Sequence, residues 1–269
     1  MNNKPTLIDT HCHLNSQEYR ANIPEFLQRA NDSGVSRFVI VGCDLNDSIE
    51  AVNLCEKYSD AKHELYASIG IHPHDAKNFP QIPSEFHEQA ANQYTIAIGE
   101  IGLDFHYDNS PREIQVILFR KQLDFANELD KPVILHIRDA FRESWEILRE
   151  GKYSNLKLLF HCYSGGLEYL DEICSRENTL CALGGAVTWK NSSELHEIAK
   201  RIPLEKLVLE TDCPYMTPAP FRGKINEPSY VKLVYEKISE LRNISLEDLA
   251  AKINLNFQKF FFSNNTITQ

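Results

Sequence analysis

The chain has no excess of positive charge. Its 38 acidic residues outnumber 28 basic ones, for a formal net charge of −10. A protein that grips nucleic acid through a broad basic surface would read the other way. Any polyanionic substrate must therefore be held locally, by metal ions and a few basic side chains, against the field of the whole molecule. The seven Cys are scattered, without a CxxC pair, and an odd count argues against a secreted disulfide framework. Long apolar runs are missing too. The longest stretch free of Asp, Glu, Lys and Arg is Asn178–Trp189, twelve residues, short of the roughly eighteen that suggest a membrane span. Met1-Asn2-Asn3-Lys4-Pro5 runs straight into a strand-like segment with no signal-peptide pattern. These absences predict a protein of a reducing compartment, the cytoplasm, with no membrane partner. There is no internal repeat, low-complexity tract or linker to split the chain. We expect one domain over 1–269, monomeric, with a frayed polar tail at 263–269.

What is present is an ordinary globular mix, 42% hydrophobic and 25% charged, able to bury a sizeable core. Short apolar runs recur, each followed by a longer amphipathic stretch. They are Leu7–Thr10, Phe38–Val41, Leu65–Ile69, Thr95–Ile98, Val133–Leu135, Lys157–Phe160, Thr179–Leu183 and Leu207–Leu209. Rich in Val, Ile, Leu and Phe and mostly free of charge, they read as strands buried on both faces. Between them the period is helical. Ile23–Ser33 places Ile23, Phe26, Leu27 and Ala30 on one face and meets a stop at Asp32-Ser33-Gly34. Glu113–Leu129 does the same with Ile117, Phe119, Leu123 and Ala126. Eight strands alternating with helices predict an α/β fold, either a closed (β/α)8 TIM barrel or a doubly wound open sheet. Periodicity alone does not choose.

The metal-capable residues do. His11 and His13 follow the first run, Glu100 the fourth, His136 ends the fifth, His161 the sixth, and Asp212 follows the eighth. In a barrel, the carboxyl ends of the strands converge on one mouth, where such enzymes keep their active sites. An open sheet would spread them along a crest. His11 and His13 stand at i and i+2, so an extended backbone points both imidazoles the same way. Four His and two carboxylates exceed what one tetrahedral ion takes from protein. They suit two divalent ions sharing a carboxylate, with Glu100, midway around the barrel, as the bridge. The mixed nitrogen and oxygen set favours Zn, Mn, Co or Ni over Mg alone. Each residue also has an ordinary reading. A lone His after a strand is more often structural, Glu100 could cap a helix, and Asp212 could belong to a plain turn.

These residues sit in segments that resemble the TatD family of metal-dependent deoxyribonucleases, a branch of the amidohydrolase-like barrels. The segments are IDTHCHL at 8–14, GIHPHDA at 70–76, IGEIGLDFHYD at 98–108, PVILHIRDA at 132–140, LFHCYSGG at 159–166, LVLETDCPYMTP at 207–218 and RGKINEPSYV at 222–231. All seven run in family order over nearly the whole chain. The resemblance implies one metal held by His11, His13, Glu100 and Asp212, and a second held by Glu100, His136 and His161. Some members lack the HxH pair that this chain keeps. Ile137 is a departure, since members often carry Ser there. The resemblance also implies a phosphodiesterase acting from the 3′ end of DNA by a two-metal-activated water, with Asp212 and Glu100 as its catalytic carboxylates. Some relatives are linked to removal of D-amino acids from tRNA. A hydrolase of another ester or amide bond, or of a small phosphoester, therefore stays open, as does a metal-binding barrel without catalysis.

Other residues carry paired readings. His72 is a candidate phosphate contact or a hydrogen-bonded loop His. Arg138 would bind phosphate in bidentate fashion, or pair with Asp139 or Glu143. Arg222 and Lys224 would clamp a DNA backbone, or be solvated loop charges. Asp104 and His106 are expected to hold ligands from behind. Ser164-Gly165-Gly166 reads as an anion nest or a tight turn. Trp189 reads first as packing, with base stacking as the alternative. Cys12, Cys162 and Cys213 alternate away from their ligand neighbours and read as small core residues.

Overall fold

In the computed structural model, which describes residues 5–262, every one of the eight apolar runs is a strand. They are β1 (Leu7–Cys12), β2 (Val35–Val41), β3 (Glu64–Ile69), β4 (Thr95–Asp104), β5 (Val133–Arg138), β6 (Leu158–Phe160), β7 (Thr179–Leu183) and β8 (Leu207–Leu209). All pair in parallel, each with the next in sequence. The ends of the sheet meet through a parallel bridge between Cys12 and Cys213. Around it, the His13 N–H donates to Cys213 O at 2.9 Å, the Asp212 N–H to His11 O at 2.9 Å and Thr10 Oγ1 to Leu209 O at 3.1 Å. The sheet thus curls into a TIM barrel, and the alternative of an open crest falls away. The tail at 263–269 lies outside the described residues.

The helices cover the outside of the barrel: α1 (Ile23–Asp32), α2 (Leu45–Tyr58), α3 (Glu85–Ala91), α4 (Arg112–Glu128), α5 (Phe141–Leu148), α6 (Gly166–Ser175), α7 (Ser193–Arg201), α8 (Val231–Arg242) and α9 (Leu246–Phe262). In α1, Pro24 sits in the first turn, where its missing N–H costs nothing. Ile23, Leu27 and Ala30 face the sheet, and Gly34 takes φ +92 just past the end. Burying Ile23 and Leu27 contributes about 1.5–3 kcal/mol apiece. The α4 pattern is shifted from its sequence reading. Phe119, Leu123 and Ala126 are buried with Leu118, Phe125, Gln115 and Gln122, while Ile117 is exposed. The two glutamines explain the shift: Gln115 binds the backbone of Asp104, and Gln122 that of Ile71, so polar residues hold the inner face. Among the described residues no helix is long and apolar enough to cross a membrane.

Three strands run further at their carboxyl ends than hydrophobicity indicates. β1, β4 and β5 continue into their polar residues, so His11, Glu100 and His136 lie inside strands. In two cases the register slips just there. Between the pairs Asp9–Phe38 and Cys12–Ile40, β1 advances three residues for two of β2; between Ile98–Val133 and Ile101–Leu135, β4 does the same against β5. A bulge adds a residue and re-aims the side chains beside it. These two bulges span Thr10–His11 and Gly99–Glu100. The backbone of β4 is tight on both sides of Glu100. A Cβ on Gly102, which has φ +152, would stand 1.9 Å from His136 O, and one on Gly99 would stand 2.6 Å from Ile134 Cβ.

Candidate metal centre

The mouth brings His11, His13, Glu100, His136, His161 and Asp212 together. Glu100 lies in the middle. Its Oε2 is 3.8 Å from His11 Nε2, 3.5 Å from His136 Nδ1 and 3.9 Å from His161 Nε2, while Oε1 is 3.6 Å from His13 Nε2. Asp212 Oδ1 closes the other side, 3.5 Å from His13 Nε2 and 3.8 Å from both His11 Nε2 and His161 Nε2. Donors about 2.0–2.2 Å from a shared tetrahedral ion stand roughly 3.3–3.6 Å apart; the three shortest of these distances fall in that range and the other four lie 0.2–0.3 Å beyond it. Asp212 has φ +56, a left-handed conformation that Asp tolerates better than most residues.

Hydrogen bonds behind the rings set which nitrogen faces inward. His13 Nδ1 donates to Val41 O at 3.2 Å, which leaves the Nε2 lone pair in the site. His136 Nε2 donates to Asp104 Oδ2 at 3.1 Å, which leaves Nδ1. The same carboxylate oxygen takes His74 Nε2 at 3.0 Å. His161 Nδ1 is 3.1 Å from Glu210 Oε1, close as an ion pair but without hydrogen-bond alignment. The Nε2 atoms of His11 and His13 face each other at 3.3 Å. Glu100 Oε2 and His11 Nδ1 are buried with no hydrogen-bond partner. Convergent lone pairs and an orphaned carboxylate oxygen are costly without a positive charge. The residues present therefore fit divalent ions.

The electrostatics are those of a cation site. Burial alone would raise the Glu100 carboxyl, yet the neighbouring imidazoles of His136, His11 and His72 hold it well below the usual range. Burial pulls His13 down, but Asp212, Glu100 and Asp47 outweigh it and push it up to about 9. His161 is likewise raised despite its burial, by Cys162, Glu210 and Asp212. Burial and His161 push His11 down. Protons and metal ions compete for such nitrogens.

A model of the family described as TatD related DNase matches residues 8–262. The chain belongs to the TatD family. It is a metal-dependent hydrolase of that family, with candidate ligand clusters at the barrel mouth. YabD of Bacillus subtilis, named an uncharacterized metal-dependent hydrolase, is 40% identical over 96% of this chain and 100% of its own. YcfH of Escherichia coli K12, named in the same way, is 31% identical over 95% of each. Among solved structures, YJJV, a TatD homolog from Escherichia coli k12, superposes with a TM-score of 0.85 at 28% identity, covering 95% of this chain and 97% of that one.

Around this TatD-type centre lie residues that sequence reasoning passed over. Asp9 is fully buried. Its Oδ1 accepts from the Thr211 N–H at 2.9 Å and its Oδ2 from Thr211 Oγ1 at 2.6 Å, so β1 holds the turn that carries Asp212. Glu210, also fully buried, accepts from the Cys162 N–H at 2.6 Å and stands behind His161. The Cys43 thiol donates to Glu100 Oε1 at 3.3 Å and lies 3.7 Å from His13 Nδ1. Asp9 and Glu210 left a legible signal, a carboxylate inside one apolar strand run and one directly after another, where burial without a task is expensive. Cys43 left none.

The other candidates divide. His72 joins the cluster, one ring nitrogen close to Glu100 and His136; its Nδ1 accepts from the His74 N–H at 3.2 Å. Asp104 stands behind His136 and His74, whereas His106 turns away to Asp139 at 2.8 Å. Cys12 and Cys213 are core residues, but Cys162 is not simply one. Its φ of +40 breaks the alternation of an extended chain and leaves its sulfur near His161 and Asp212. Ser164 Oγ donates to Ile137 O, bracing the turn. Arg138, Arg222 and Lys224 are exposed, each against an aromatic ring: Tyr107 at 4.7 Å, Trp189 at 4.4 Å and Phe221 at 5.6 Å.

Proposed function

We propose that the chain is a deoxyribonuclease that hydrolyses phosphodiester bonds from the 3′ end of DNA, with two divalent ions at the barrel mouth. One observation carries the reading: a single buried carboxylate, Glu100, stands within 4 Å of all four imidazoles, those of His11, His13, His136 and His161. His11, His13, Glu100 and Asp212 would hold one ion, and Glu100, His136 and His161 the other. When bound, such ions make water a stronger nucleophile near neutral pH and offset the charge that builds on the phosphoryl group.

The chain's own residues supply the rest. Asp212 is the more open of the two carboxylates, with its side chain 13% exposed against 5% for Glu100. It accepts the proton of the attacking water and returns it to the leaving oxygen. His72 is neutral, because burial and His136 depress its pKa. With Nδ1 occupied by the His74 N–H, its proton sits on Nε2, a donor for a non-bridging phosphate oxygen. Arg138, Arg222 and Lys224 hold the strand. Among the described residues no ion pair engages any of the three, so their charge remains for phosphates.

The test is a substrate panel on the full chain, stripped with chelator and reloaded with single metals. It should include 3′-labelled single- and double-stranded DNA, RNA and D-aminoacyl-tRNA. We expect nucleotide release from DNA 3′ ends, abolished by chelation and restored by Mn, Co or Zn at least as well as by Mg. Turnover of D-aminoacyl-tRNA with intact DNA would move the activity to carboxylic esters and overturn the reading.

A further inference from the structure

Trp189 and Arg222 come from loops after different strands, β7 and β8, and are locked together. The Trp189 indole N–H donates to Thr217 O at 3.0 Å, and the Ala219 N–H donates to Thr188 Oγ1 at 2.8 Å. The first bond fixes the plane of the indole, so the ring is a set platform and not a swinging side chain. The Arg222 guanidinium lies 4.4 Å from its centre. Beside them runs a groove of about 400 Å³, lined by Trp189, Lys190, Asn191, Ala219, Pro220 and Arg222. Small-molecule sites span roughly 300–1,000 Å³. The lining is mostly apolar, Lys190 and Arg222 bring two cations to it, and Asn191 offers both a donor and an acceptor. No carboxylate lines the groove, in a chain of net charge −10.

The groove is tied to the reacting centre by a short piece of chain. Asp212 and Thr217 are five residues apart, at most about 18 Å even when fully extended. The Tyr215 N–H bond to Asp212 O, 2.8 Å, shortens the path.

We propose that this groove takes one nucleobase of a polynucleotide strand whose backbone enters the metal centre, with the base stacked on Trp189 and Arg222 turned to an adjoining phosphate. The inference rests on the nuclease reading of the same centre and adds a subsite to it. A guanidinium is planar and cationic, and it already occupies the face of the indole; a base is a planar replacement for it. The exchange frees a cation beside a phosphodiester, which a fork of N–H donors suits. Stacking of this kind tolerates any base. The site should therefore report the presence of a base at one position along the strand, not its identity.

The experiment uses the full metal-loaded chain and single-stranded DNA octamers with hydrolysis-resistant phosphorothioate linkages. A single abasic nucleotide is stepped along the octamer from its 3′ end. Binding is followed by tryptophan fluorescence. The chain has two Trp, and Trp145 lies on the buried face of α5, so quenching reports Trp189. We expect one abasic position to lose the quench and about tenfold in affinity, with the other positions little changed. Trp189→Ala should lose about tenfold for the intact octamer and nothing further for that abasic one. Trp189→Phe, which keeps a stacking ring, should hold most of the affinity without the signal and guards against loss of fold. If unmodified octamers are cleaved and intact ones bind without quenching, or if every abasic position behaves alike, the subsite is wrong and the nuclease reading stands. If no octamer is bound or cleaved, the nuclease reading fails and the subsite fails with it.

Discussion

At the centre of the mouth, Glu100 and His161 are each about 5% exposed at the side chain, and their donor atoms face other donor atoms across 3.5–3.9 Å. At the rim, Arg138, Arg222 and Lys224 are open to solvent and already rest on aromatic rings. The centre is preorganised at an electrostatic cost that only a cation relieves. The rim is satisfied before any ligand arrives and loses little when one side chain changes. Chemistry and recognition are thus divided between a rigid and an adaptable part of one surface. Substitutions should separate the two, by what they change as much as by how far.

The largest effects belong to Glu100 and Asp212, and they should differ in kind. Glu100→Gln removes the charge that stands within 4 Å of all four imidazoles and should lower metal occupancy itself. Asp212→Asn can still offer an oxygen but cannot take a proton at neutral pH. It should keep its metal and lose about 10²–10⁴-fold in single-turnover rate, the usual share of a general base. Metal content measured beside rate tells them apart. If Asp212→Asn sheds metal in proportion to activity, Asp212 is chiefly a ligand and the proton-transfer role is wrong.

A smaller loss should follow Asp104→Asn. Asp104 Oδ2 accepts hydrogen bonds from both His136 and His74, and its carboxyl, despite burial, is held well below the usual range by those bonds and the Tyr107 N–H. Groups that orient a metal-binding His typically contribute about 10–100-fold in affinity. Competition with a chelating dye should show a drop of that size. Unchanged affinity would mean that β4 and β5 alone fix the His136 ring.

The same division governs what the sequence could disclose. All eight strands were legible because strands buried on both faces must be apolar, and the gathering of the six candidate ligands at one mouth was legible because a barrel brings its strand ends together. What hid was register. The bulges at Thr10–His11 and Gly99–Glu100 depend on pairing with β2 and β5, and no local pattern announces a residue inserted opposite another strand. Ile117 was misplaced for a related reason. Gln115 and Gln122 look like surface residues until the backbone groups they satisfy are known. Cys43 reaches Glu100 from the loop after β2, joining segments 57 residues apart. At the rim, Arg138 had an acidic neighbour in sequence, but Asp139 turns to His106 and Glu143 to Arg142.

Titration offers a third separation, confined to the centre. His13 is pushed up to about 9 and His161 is also raised, against an unperturbed imidazole near 6.5. A group raised on folding stabilises the fold fully below its unfolded pKa and loses that contribution as pH climbs through the folded value. The chelated protein should therefore lose thermal stability between about pH 6.5 and 9. Metal-loaded protein should lose less, since the ions stand where the protons stood, so the gap in Tm between the two forms should widen across that window. A constant gap would mean that His13 and His161 do not exchange protons for metal.

The smallest effects should come from the rim, and their form matters more than their size. Arg138→Ala and Lys224→Ala each remove an exposed charge that lies against a ring and pairs with no carboxylate among the described residues. Neither touches a candidate ligand, so metal content and the rate at saturation should stay at the parent value. KM for oligonucleotides should rise by a few fold. The plot of log affinity against log salt should flatten by about 0.7 for each phosphate of a single strand that is no longer neutralised. That slope counts released counterions, which a purely packing role for the arginine or lysine would leave alone. The net charge of −10 sharpens the measurement, because the rest of the surface repels the strand and cannot compensate. A fall in the saturated rate would tie the altered residue to the centre and erase the boundary between the two regions. An unchanged KM and salt slope in both variants would place the strand on another part of the mouth.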